Sequence, residues 1–109
     1  SPASVPETSP VAAIAAATSG NNTLVAAVTG KKIRVLAYKL TGSGAVNAKF
    51  QSGAGGTDLT GLEYIATAGG GVFAGFNPVG HFETAAGVLL NINLSGSVAV
   101  GGHLTYVEI

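Results

Sequence analysis

The sequence predicts an all-β fold, a sandwich or barrel of about seven or eight short strands. Three observations predict it. Apolar and polar residues alternate with period 2 through several separate runs. Gly, Ser and Asn clusters punctuate those runs every 8–12 residues or so. No stretch has the length and 3.6-residue period of a stable helix.

The elements follow in order. Residues 1–10 hold three of the four prolines. Such a segment is neither helix nor central strand and reads as an extended arm. Val11 to Thr18 is Ala-rich, which favours helix by propensity, but Pro10 precedes it and Ser19-Gly20-Asn21-Asn22 follows. Its alternation favours a strand. The domain reading is therefore an arm over 1–20 and a β-domain over 21–109. Leu24 to Val28 is a strand ending at Thr29-Gly30. In Lys32 to Leu40, strict alternation places Ile33, Val35 and Ala37 on one face and Lys32, Arg34, Leu36, Tyr38 and Leu40 on the other. Thr41-Gly42-Ser43-Gly44 is a turn. Ala45 to Gln51 points Val46, Ala48 and Phe50 inward and Asn47, Lys49 and Gln51 outward, so Lys32 to Gln51 reads as a hairpin. Ser52 to Gly56 is a loop, Leu62 to Ala66 a strand and Gly69-Gly70-Gly71 a break. Val72 to Phe76 is a strand stopped by Asn77-Pro78, and His81 to Glu83 is a short extended piece. Val88 to Leu94 alternates with Leu90, Ile92 and Leu94 inward. Ser95-Gly96 reads as a tight turn with a positive-φ glycine. Ser97 to Ile109 is the last strand, in which Gly101-Gly102 marks a bulge or a close backbone approach.

Composition narrows the function. The 109 residues carry 47% apolar but only 9% charged side chains, with a net charge of zero. An average soluble domain carries about 25% charge. Disorder needs low hydrophobicity and high charge, and a nucleic-acid binder a basic excess; this chain has neither. Without Cys there is no disulfide framework and no thiolate metal site. The start at Ser1 reads as loss of an initiator Met or a leader. No run of about 18 apolar residues marks a membrane span. A surface with so few charges predicts self-association. The two-faced apolar strands agree: Leu36, Tyr38 and Leu40 oppose Ile33 and Val35, while Val107 and Ile109 oppose Leu104 and Tyr106. A sandwich strand needs one buried face, so these second faces predict a subunit interface.

Equipment for chemistry is sparse. All five basic residues, Lys31, Lys32, Arg34, Lys39 and Lys49, lie within 31–49, and four of the five acids follow them. This predicts a polarised surface whose basic edge meets an acidic patch on a neighbour. Alternation splits Lys39 from Lys32 and Arg34, which is poor for a phosphate groove. His81 and Glu83 share a strand face and with His103 would supply a two-His, one-carboxylate set, but nothing in the sequence brings residue 103 to residue 81. No serine sits in a Gly-x-Ser-x-Gly elbow, and the glycine clusters lack a following Gly-Lys-Ser/Thr. Asn21-Asn22-Thr23 and Asn93-Leu94-Ser95 match the glycosylation tripeptide, which matters only in a eukaryotic secreted setting. No catalytic group, cofactor or metal is predicted, and neither nucleic acid nor membrane as a partner.

Several phrases occur together: KKIRVLAY at 31–38, VNAKFQSG at 46–53, TDLTG at 57–61, PVGHFET at 78–84 and the run 90–109. In this order they resemble small all-β structural proteins of tailed-bacteriophage virions, of the capsid-decoration or head–tail accessory kind. The resemblance spans about residues 24–109. It implies a jelly-roll-like sandwich, most often trimeric, that binds the major capsid protein or another virion protein, resides in the virion and has no enzymatic activity. On that reading Leu36, Tyr38, Leu40, Val107 and Ile109 are expected at the trimer contact. Pro2, Val5, Pro6, Pro10, Val11 and Ile14 of the arm are expected at the capsid. The alternative is a receptor- or carbohydrate-binding module on a phage appendage, for which three Tyr and no Trp are a thin aromatic supply.

Overall fold

The computed structural model describes residues 10–109, which form ten β-strands and no helix. These are β1 (Val11–Ala16), β2 (Gly20–Val25), β3 (Ile33–Gly42), β4 (Val46–Ser52), β5 (Thr57–Asp58), β6 (Glu63–Ile65), β7 (Gly71–Ala74), β8 (Phe82–Glu83), β9 (Leu90–Leu94) and β10 (Val100–Glu108). They build two antiparallel sheets packed as a sandwich. One has the order β1-β10-β3-β7, with β8 on the same edge of β3 as β7. The other has the order β2-β9-β4-β5, with β6 beside β5 on the outer edge of β4. We call these the first and second sheets.

Alternation decides what each sheet buries. Leu90, Ile92 and Leu94 of β9 and Val46, Ala48 and Phe50 of β4 line the inner face of the second sheet, each 4% exposed or less. Ile14, Ile33, Val35, Leu40, Val100 and Leu104 answer from the first sheet. Aromatic rings fill one end. Phe50 lies edge-on to Tyr38 with centroids 4.8 Å apart, and Phe82 stands 5.0 Å from Phe50.

Three expectations are corrected. First, the sandwich begins at Val11 rather than at residue 21. Val11–Ala16 pairs along β10 from Thr105 to Val100, and Ile14 and Ala16 are core residues. Pro2, Val5 and Pro6 lie outside the described residues, and Pro10 is exposed. Second, Lys32 to Gln51 is not a hairpin. The turn after β3 carries the chain from one sheet to the other, so β3 and β4 face each other across the core. The link from β9 to β10 crosses in the same way, and Gly96 has no positive φ. Third, β3 does not keep one phase. Thr105 pairs with Ala37 but Tyr106 pairs with Val35, so Leu36 is an extra residue, a β-bulge. The bulge returns Tyr38 and Leu40 to the face of Ile33 and Val35. Strict alternation holds on either side of Leu36 but not through it.

Gly102 of β10 has φ 138°, and a Cβ there would stand 2.0 Å from the Lys39 carbonyl oxygen. Gly102, not Gly101, thus marks a close approach of β10 to β3 that no side chain tolerates; a Cβ at Gly101 would meet nothing nearer than 3.8 Å.

Candidate interaction surface

The bulge removes the trimer face expected from Leu36, Tyr38 and Leu40. These residues are 4%, 8% and 0% exposed within a single chain. Tyr38 and Leu40 belong to the core, and Leu36 lies under the segment whose Asn77 N–H donates to its carbonyl at 2.9 Å. Val107 is half-buried and Ile109 exposed, so these two stay on the outer side of the first sheet. Of the residues expected at a capsid, Val11 is exposed and Ile14 is buried in the core.

The charges are satisfied largely within the chain. Glu83 on β8 lies beside β3, where it binds Arg34 at 2.8 Å and Lys32 at 3.2 Å. Asp58 on β5 accepts from Lys49 at 3.2 Å. Hydrogen bonds from Arg34 and Lys32 hold the Glu83 carboxyl below its ordinary range, and those from Gln51 and Lys49 do the same for Asp58. The basic edge therefore meets acids of its own chain. The bulge also puts Lys39 on the same outer face as Arg34, beside His103 of β10. His81 instead holds the Gly75 carbonyl through Nε2 at 2.6 Å. Glu83 is engaged by cations, and among the described residues no three of His, Asp and Glu converge.

A row of amides crosses the outer face of the second sheet. Asn91, fully buried, donates to Asn21 Oδ1 at 3.0 Å and to Gln51 Oε1 at 2.9 Å, and accepts from the Asn22 N–H at 2.9 Å. Gln51 donates onward to Asp58 at 2.9 Å. These side chains satisfy one another, as buried polar groups must.

What the sequence did not single out is a set of exposed apolar residues between 62 and 79. Tyr64, Phe73, Phe76 and Val79 are 73%, 78%, 65% and 75% exposed, in a chain with only four Phe and three Tyr. Tyr64 points outward from β6 opposite Asn47, and Phe73 outward from β7 opposite Lys39. Phe76 precedes, and Val79 sits within, a tight turn over residues 77–80. Gly80 N–H donates to the Asn77 carbonyl at 2.9 Å, Val79 N–H to Asn77 Oδ1 at 3.0 Å, and Pro78 fixes the corner. Two ties hold the turn against β3: Asn77 N–H to Leu36 O and His81 N–H to Val35 O. The legible signal was Asn77-Pro78 with aromatics beside glycines in an uncharged stretch; read as a strand stop, it hid the side chains it presents.

At the opposite corner of the first sheet lies an apolar hollow of about 490 Å³. Ala15 and Ala17, Thr41 and Ser43, Ala99 and Gly101 border it, and among the described residues no charged side chain lines it. Ala15, Gly101 and Thr41 sit side by side in the strand register, so the hollow exists because small residues were placed in one row.

Comparison with protein-family models, with curated proteins and with solved structures finds no match for this chain.

Proposed function

We propose that this chain is a non-enzymatic structural protein of a tailed-bacteriophage virion, a capsid-decoration protein that self-associates and stabilises the capsid lattice. The observation that carries the reading is the set of apolar side chains held rigidly in water. An exposed aromatic on a hydrogen-bonded turn cannot fold away, and such groups mark association surfaces. The low charge supports the same reading, since charge depletion accompanies the core of an interface.

The strand order supports a jelly roll. With β5 and β6 sharing one edge of β4, and β7 and β8 one edge of β3, the ten strands occupy eight positions in two four-position sheets. First pairs with last, and second with last but one, as in the doubled Greek key common among viral capsid domains. The phrases between residues 24 and 109 that resemble phage accessory proteins fall on these strands and their turns. The saturated amide row favours a structural role over a sugar site, because its donors and acceptors are already engaged.

Two measurements test the proposal. Light scattering at two concentrations is expected to give a stable mass near three times 10.6 kDa. Antibody-gold labelling of particles from the phage whose genome encodes the chain is expected to decorate the capsid. Labelling confined to the tail, or none on intact particles, overturns the decoration reading.

A further inference from the structure

We infer that Phe76 and Val79 of one copy seat in the Ala15–Thr41–Gly101 hollow of the next copy, a head-to-tail contact that closes a ring. The inference rests on the self-association proposed above and names the surfaces that carry it.

Four observations lead to it. The turn is built before any partner arrives: it is closed by Asn77, cornered by Pro78 and tied to Val35 and Leu36. Its last residue, Gly80, has φ 95°, and a Cβ there would stand 2.6 Å from Arg34 Cγ, so the turn lies close against the Arg34 side chain. Preorganisation of this kind lowers the ordering cost of binding. Next, the hollow is the chemical counterpart of that knob. It is apolar, uncharged, floored by small side chains and roomy enough for a phenyl ring beside a branched aliphatic one. Third, knob and hollow lie diagonally across the first sheet. The knob is at the β7–β8 edge beside Leu36 of β3; the hollow is at the β1 side, beside Thr41 of β3. The knob of a chain therefore cannot reach the hollow of the same chain. Last, two different patches in contact make a heterologous interface, which generates a closed ring when the rotation permits. A second copy is the occupant because every chain brings both halves, and neither half carries a charge to select another partner.

The test uses mixtures of variants. Phe76→Asp/Val79→Asp removes the knob and keeps the hollow. Ala15→Phe fills the hollow and keeps the knob. Each alone is expected to be a monomer at concentrations where the wild type is assembled. Mixed, they retain one intact contact and are expected to form a 1:1 pair, twice the 10.6 kDa chain mass. As a second measurement, the Cys-free chain permits Val79→Cys and Ala15→Cys variants, which are expected to cross-link to each other on oxidation. Should an Asp or Phe variant fail to fold, as judged by its thermal melt, this pair decides. An assembled wild type whose variants keep its mass overturns the knob-and-hollow contact and leaves self-association standing. Monomeric variants that neither pair on mixing nor cross-link also overturn it. A monomeric wild type overturns the self-association reading itself.

Discussion

Tyr38 on the first sheet donates its phenol hydrogen to Glu63 Oε1 on the second at 2.5 Å, a polar tie across an otherwise apolar core. The other carboxylate oxygen, Oε2, is buried with no partner among the described residues. Burial pushes the Glu63 carboxyl above its ordinary value, with the Tyr38 hydrogen bond opposing. Burial and the adjacent carboxylate push the Tyr38 phenol up as well. Removing the donor leaves both oxygens of Glu63 unpaired. Tyr38→Phe is expected to destabilise the fold by about 1–3 kcal/mol. A domain of this size loses roughly 4–8 °C in Tm per ~1 kcal/mol, so the change is readable by calorimetry. An unchanged Tm would show that the tie contributes nothing.

The same carboxyl sets a pH dependence with an unusual sign. The folded chain keeps the Glu63 proton at pH values where the unfolded chain has lost it. Stability from this group therefore falls as pH rises from the ordinary value of 4.5 through the raised folded value. Asp58 and Glu83 act oppositely: their contribution is present above the ordinary carboxylate range and is lost as pH falls through their lowered values. Both are solvent-screened surface groups, so their share is small. Glu63→Gln is expected to flatten the decline in Tm between mildly acidic and neutral pH. A wild-type Tm that instead rises steadily across that interval counts against it.

Phe50 is fully buried and touches the rings of both Tyr38 and Phe82. Phe50→Ala is expected to cost about 3–5 kcal/mol through lost burial and the cavity left behind. Denaturant midpoints at constant slope measure this directly.

Asn91 is a buried residue of the opposite kind, polar and on the outer face of the second sheet. Asn91→Leu keeps the branching of the side chain but strands the Asn22 N–H and the Gln51 side-chain oxygen, while the exposed Asn21 Oδ1 keeps its bond from Asn93. The expected loss is about 1–3 kcal/mol, although the substitution is more hydrophobic. Hydrogen exchange at the Asn22 amide is expected to accelerate, and an unaltered rate would count against its bond to Asn91.

How much of this was legible depended on local regularity. Val46 to Gln51 and Leu90 to Leu94 were legible because one uninterrupted alternation governs each. Lys32 to Leu40 misled at one residue. Leu36 is apolar and fits a second apolar face, so a bulge and an interface produce the same string. Only the pairing with Thr105 and Tyr106 separates them, and pairing is non-local. The arm boundary failed for a related reason. Val11 to Ala16 reads as a strand from its own alternation, but Ile14 is its one large core residue, and its place in the sandwich comes from β10, nearly the whole chain away. The exposed Phe73, Phe76 and Val79 were hidden because hydropathy records what a side chain prefers, not where a turn holds it.

The β1–β10 pairing has a consequence for biosynthesis. A ribosome delivers Val11–Ala16 well before its hydrogen-bonding neighbour Val100–Glu108. The first sheet therefore cannot be completed until Val100–Glu108 has emerged. Until then, β1 waits as an uncharged Val-Ala-Ala-Ile-Ala-Ala segment with unpaired backbone groups, the kind of strand that finds other chains. Folding dominated by such distant pairings is slow. Yield in a host is then expected to depend on chaperone supply and on how crowded the nascent chains are, more than on the stability of the finished sandwich.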